Sequence, residues 1–225
     1  MRFDTMYRFF VQPQVDQQRK VVFGYELLLR QETNGRWSVP QSFTALSLDQ
    51  QAQLLERVAG QLKTQVTNQT LALNLNREQA EDEQMLGTII YLKKRLNPAA
   101  LTIELTENPT LYEAQKYSLF FHQYGIKLSI DDVGTGSNTY EKIESILPFV
   151  DQIKFAMQNF RSSGEAERIP GELAFWHGVA QRFHLEFILE GIEDERDQAM
   201  AEQRGILCYQ GYYYGKPYLV EDNAV

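Results

Sequence analysis

From about residue 70 onward, short apolar runs of strand character take turns with longer runs of helical period. Such alternation predicts parallel β/α units, because two parallel neighbours need a crossover connection, most often a helix. The strand-like runs span residues 71–76, 101–107, 128–132, 150–157, 186–190 and 206–214. Helical spacing covers 78–96, 111–124, 140–147, 173–183 and 195–204, with Gly125 and Gly205 as C-terminal stops and 162–171 as a loop. Before this series, 8–15 and 21–30 read as two strands joined by the polar turn 16–20, a hairpin. Residues 40–67 carry helical spacing through Phe43, Leu46, Leu54, Val58 and Leu62. No repeat, linker or low-complexity stretch divides the chain, so one domain over 1–225 is predicted, of α/β class.

The strands carry polar residues where apolar ones would be expected. Asn74, Glu104, Asp131, Lys154, Glu190 and Gln210 come from six successive strands. In an α/β barrel such residues converge at the carboxyl-terminal face, where barrel active sites lie. Buried polar groups need partners, and these can supply each other only if they converge. Leu128-Ser-Ile-Asp-Asp-Val-Gly-Thr-Gly136 places two adjacent carboxylates before a glycine-rich turn. Side chains alternate along a strand, so Asp131 and Asp132 share one site only at the strand's end. A hard divalent cation suits that pair, and an Asx-type turn is the structural alternative. Glu26 stands among Tyr25, Leu27, Leu28 and Leu29. A charge in such a run requires a partner, either Arg30 four residues on or a bound cation.

Thirty acidic and 22 basic residues give a formal charge of −8, with no basic block. That balance argues against a nucleic-acid polymer as partner. Cys208 is the only cysteine, which excludes an internal disulfide and a cysteine-rich metal site. No apolar run approaches the ~20 residues of a membrane helix, and the N-terminus lacks the apolar core of a secretory signal. A cytoplasmic protein without membrane contact is the expectation. His122, His177 and His184 have no carboxylates at metal-ligand spacing and are read as surface or packing residues.

With these residues in view, the chain resembles the EAL domain family of cyclic di-GMP phosphodiesterases and their inactive relatives. The resemblance rests on Glu26-Leu27-Leu28 within GYELLLR, Val11-Gln12-Pro13, LNLN with Asn74, IELTE with Glu104 and Glu107, DDVGTG with Asp131 and Asp132, IKFA with Lys154, LEGIE with Glu190 and Glu193, and YQGYYYGKP with Gln210. These blocks occur in order over about residues 8–219. The resemblance implies a modified (β/α)8 TIM-like barrel whose first strand runs antiparallel to the rest. It implies one metal at Glu26, Asn74, Glu104 and Asp131, and a second around Asp131, Asp132 and Glu190. Lys154 would stand beside the attacking water, and Glu107 would support the loop after Asp132. Gln12 and Arg30 match positions that contact the dinucleotide, and Glu193 and Gln210 match further site positions. The implied reaction is hydrolysis of cyclic di-GMP to linear pGpG, and the resemblance also implies a homodimer. The donors are all oxygens, which suits Mg²⁺ or Mn²⁺, with Ca²⁺ favouring binding over catalysis.

Departures from the family pattern are also legible. Ala156 stands where Lys-x-Asp would put a carboxylate, Val133 stands for Phe, and Leu27 for Ala. After Gly136 the chain reads Ser-Asn-Thr-Tyr instead of Tyr-Ser-Ser-Leu. The proposed metal ligands are untouched, and the departures bear on the position of the loop, the affinity for a second metal and the rate. Ala156 therefore favours the runner-up function, a cyclic di-GMP receptor. A purely protein-binding relative would be expected to have lost its ligands.

Overall fold

The computed structural model describes residues 6–40, 46–62, 69–98 and 100–220. Phe43 and the tail of the helical run predicted through residue 67 lie outside the described residues. Strands β1 (Met6–Asp16) and β2 (Val21–Thr33) form the expected hairpin, extended by a short β3 (Arg36–Ser38) that periodicity did not reveal. Helix α1 (Leu48–Leu62) follows, burying Leu55, Val58, Ala59 and Leu62. Leu54, expected on the buried face, is only partly covered.

Then come β4 (Thr70–Leu75), α2 (Arg77–Glu81), α3 (Glu83–Leu96), β5 (Ala100–Leu105), α4 (Leu111–His122), β6 (Ile126–Ile130) and α5 (Tyr140–Ile143). The chain continues through β7 (Gln152–Ala156), α6 (Met157–Ser162), α7 (Ile169–Phe183), β8 (Glu186–Glu190), α8 (Glu195–Glu202), β9 (Cys208–Gln210) and β10 (Tyr218–Leu219). Eight strands close a ring in the order β1-β9-β8-β7-β6-β5-β4-β2, shut by the β1–β2 pairing. Strands β2 and β4 through β9 run parallel, and β1 is antiparallel to both neighbours. This is the predicted barrel with an inverted first strand. In the described part of the chain, no helix is long and apolar enough to cross a membrane.

Several boundaries differ from the sequence expectation. The run 78–96 is two helices, because the Asp82 carboxylate accepts from Met85 N–H at 2.7 Å and starts a new one. The predicted loop 162–171 holds a 3₁₀ turn at Ala166–Arg168 and the start of α7, with Pro170 in its first turn. α6 follows β7 without a break. The last barrel strand stops at Gln210, and residues 211–214 form a turn.

Candidate active site

The strand ends carry the polar residues to one mouth. β1 and β2 pair with Gln12 opposite Glu26, so both side chains leave the hairpin on one face. β4 supplies Asn74, β5 supplies Glu104, and β6 ends at Ile130, which leaves Asp131 and Asp132 at the turn. β7 supplies Lys154, and β8 and β9 end in the paired Glu190 and Gln210. A cleft of about 390 Å³ opens over Glu26, Asp131, Asp132, Glu190 and Gln210, its wall including Gln12, Arg30, Glu193 and Tyr212.

Lys154 stands at the centre. Its Nζ lies 2.6 Å from Glu190 Oε1, 2.9 Å from Glu104 Oε2, 3.4 Å from Glu26 Oε2 and 3.7 Å from Asp131 Oδ1. Lys154 and Glu104 are wholly buried. Burial alone would depress the lysine, but Asp131, Glu104, Glu190 and Glu26 hold its pKa well above the ordinary value. One ammonium cannot neutralise four carboxylates. Burial, with mutual repulsion among the carboxylates, lifts Glu104 and Asp131 well above the carboxylate range despite Lys154, and lifts Glu190 as well. Glu26 goes the other way: burial opposes its charge, but Lys154 and hydrogen bonds from Gln210 and Asn74 carry its pKa down.

The partner of Glu26 is therefore Lys154, not Arg30. Arg30 NH1 donates to the Leu29 carbonyl at 2.9 Å, and its guanidinium forms part of the cleft wall. Asn74 Nδ2 donates to Glu26 Oε1 at 2.7 Å. Gln210 Nε2 donates to the other Glu26 oxygen and to Gln12 Oε1, while Gln210 Oε1 accepts from Gln14 Nε2 at 3.0 Å. Gln14 went unnoticed in the sequence, although it lies two residues from Gln12 on the same strand face.

The loop after β6 is pinned from several sides. Val133 N–H donates to the Lys154 carbonyl at 3.0 Å, and buried Asn138 Nδ2 donates to the Asp131 carbonyl at 2.7 Å. Gly134, at φ +88°, passes so close to α7 that a Cβ there would meet Trp176 Nε1 at 2.6 Å. Glu107 is exposed at the edge of an adjoining cleft. The residue after it, Asn108, reaches the loop, with Nδ2 donating to the Ser137 carbonyl at 3.4 Å. Glu193 lies on the rim 3.7 Å from Arg161, which also holds the Gly191 carbonyl and Asp197.

Two acidic groups are close enough to share ions: Glu26, Glu104 and Asp131, and Asp131, Asp132 and Glu190, each with ligand oxygens within 4.8 Å of one another. Glu104 Oε1 is buried without a hydrogen-bond partner. An orphaned carboxylate oxygen among all-oxygen donors fits a hard divalent cation. Protons and a cation compete for the same oxygens.

The sequence profile of the EAL domain matches residues 5–217. The chain belongs to the EAL domain family. Curated relatives include the "Probable cyclic di-GMP phosphodiesterase PdeA" of Escherichia coli (strain K12), 26% identical over 216 residues, which cover 88% of this chain and 29% of that protein. PdeN of the same strain, also named a probable cyclic di-GMP phosphodiesterase, is 26% identical over 94% of this chain and 43% of its own length. The EAL domain described here thus spans less than half of these relatives. Among solved structures, "PaMucR Phosphodiesterase, c-di-GMP complex" superposes with TM-score 0.78 at 20% identity, covering 95% of this chain and 92% of that one. The Bacillus subtilis YkuI protein, with an EAL domain and in complex with c-di-GMP and calcium, gives TM-score 0.76 at 17% identity over 96% of this chain and 57% of that one. At these identities the structures establish the shared barrel.

Proposed function

We propose that this EAL domain is a metal-dependent phosphodiesterase that opens cyclic di-GMP to linear pGpG. The observation that carries the reading is the cluster of Glu26, Glu104, Asp131 and Glu190 around the buried Lys154 at the barrel mouth. Glu26, Asn74, Glu104 and Asp131 would hold one Mg²⁺ or Mn²⁺, and Asp131, Asp132 and Glu190 a second. Bound divalent cations supply the charge that draws in a phosphodiester and makes water a nucleophile near neutral pH. Lys154 orients the water and stabilises charge that develops on the phosphate. Gln12, Arg30, Glu193 and Gln210 contact the dinucleotide, and Glu107 supports the loop that carries Asp132. A chain of charge −8 repels an anionic substrate at long range, so the cations, Arg30 and Lys154 must reverse the field locally.

Incubation with cyclic di-GMP and Mg²⁺ or Mn²⁺, followed by separation of products, tests the proposal. Linear pGpG is expected, and excess EDTA or Glu26→Ala should abolish it while the fold survives. Full turnover in either condition overturns it. Ca²⁺ should support binding better than turnover. Ala156 favours a second reading, a receptor that holds cyclic di-GMP uncut. Binding without pGpG at any Mg²⁺ or Mn²⁺ concentration would decide for the receptor.

A further inference from the structure

β7 ends at Ala156, and α6 begins with the next residue. Its first turn carries Gln158 and Asn159 into the cleft wall. Asn159 Nδ2 donates to Asp132 Oδ1 at 2.7 Å and lies 3.5 Å from Thr135 Oγ1. Asp132 itself sits at φ +52°, in the left-handed region that a residue with a Cβ enters only when its surroundings hold it there. Thr135 fixes the backbone of that turn, its N–H and Oγ1 reaching the Asp132 carbonyl at 3.3 and 2.9 Å. Neither bond aims the carboxylate. Among the described residues the Asn159 amide is the one hydrogen-bond donor to it.

The other two carboxylates of this group are held differently. Asp131 Oδ1 accepts from Asp132 N–H at 2.8 Å and faces Lys154, and Glu190 lies against Lys154. Of the three, Asp132 alone forms no ion pair with Lys154, and a neutral side-chain amide aims it instead. An amide occupies one lone pair and fixes the plane of the carboxylate, and leaves its charge uncompensated for a cation. Residue 156, an alanine, adds no carboxylate to this half of the site.

We propose that Asn159 is the positioning residue for the second cation. Its amide aims Asp132 into the group formed with Asp131 and Glu190. This inference rests on the two-cation reading above, but its test needs no turnover. Mn²⁺ uptake by the nucleotide-free protein, followed through the EPR signal of the free ion, should show a tighter and a weaker step. Asn159→Ala and the similarly sized Asn159→Leu should each weaken the weaker step about tenfold or more, the usual effect of losing a group that orients a metal ligand. The tighter step should be unchanged. Wild-type uptake in both variants overturns the inference. So does a loss confined to Asn159→Ala, since the side chain's volume and not its amide would then matter. A single Mn²⁺ step in wild type also overturns it. Absence of pGpG with both steps present and the weaker one sensitive to Asn159 would count against the phosphodiesterase reading alone.

Discussion

At the scale of single residues, Lys154 has two jobs that mutation can separate. It is the cation that holds four carboxylates together, three of them buried, and it is the proposed electrostatic group of the reaction. Its pKa is raised, so its stabilising effect is complete below the unfolded value and is lost only as pH climbs through the folded one. At neutral pH it is fully present. Lys154→Ala should therefore cost about 3–5 kcal/mol in metal-free buffer, the range for breaking a buried ion pair from one side. Mn²⁺ should restore part of that loss, which thermal melts with and without the ion would detect. With Mn²⁺ present, kcat should fall about 10²-fold or more while cyclic di-GMP still binds. A variant with wild-type kcat would remove Lys154 from the reaction. Ala156 belongs to the same scale. It is buried, follows Lys154 by two on the strand and pairs with Glu190. Ala156→Asp should shift the Mn²⁺ activation curve to lower concentration. An unmoved curve would mean that position 156 does not serve the second cation.

Elements are set by local chemistry that can be tested away from the site. α4 starts with a reciprocal cap: Glu113 N–H donates to Thr110 Oγ1 at 3.2 Å, and Thr110 N–H donates to Glu113 Oε2 at 2.7 Å. The backbone bond from Thr110 is the main reason that the Glu113 pKa lies below its ordinary value, helped by the Thr110 side chain, Arg77 and Lys116. A depressed carboxylate stabilises the fold above its unfolded pKa and loses that effect as pH falls through the folded one. Glu113→Gln keeps the cap's geometry and removes its titration. Urea unfolding of that variant should depend less on pH than wild type as pH falls through and below the ordinary carboxylate value. Equal slopes would place the acid sensitivity elsewhere.

At the scale of the whole molecule, closure of the barrel makes the site. Gln210 reaches Glu26 and Gln12 only because β9 lies against β1 and β1 against β2. Gly211, next after Gln210, faces the loop that follows β8. A Cβ there would strike the Ile192 carbonyl and amide, with its carbonyl carbon at 2.8 Å. Backbone cannot swing aside as a side chain can, so Gly211→Ala should cost about 1–3 kcal/mol, the range for overpacking. It should also raise KM by displacing Gln210. A urea midpoint and KM both at wild-type values would show that the approach of Gly211 to Ile192 has room to spare.

The parallel β/α order and the polar positions Glu26, Asn74, Glu104, Asp131 and Glu190 on the strands were legible in the sequence, and their assignment as candidate ligands came from the resemblance to the EAL domain. The order and the polar positions rest on local rules: strand period, turn residues, or a charge stranded in an apolar run. A short-range rule could not say which charges meet. Arg30 was the nearest candidate in sequence for Glu26, yet Lys154, 128 positions away, became its partner once the barrel closed. Asn159 lay in a helix too short for periodicity to reveal, and only the approach of α6 to the loop after β6 set its amide on Asp132. Sequence determined which residues stand at strand ends, because alternation and helix caps act over a few residues. The tertiary structure decided the pairing of charges and the aim of each carboxylate, because those depend on distances across a closed barrel.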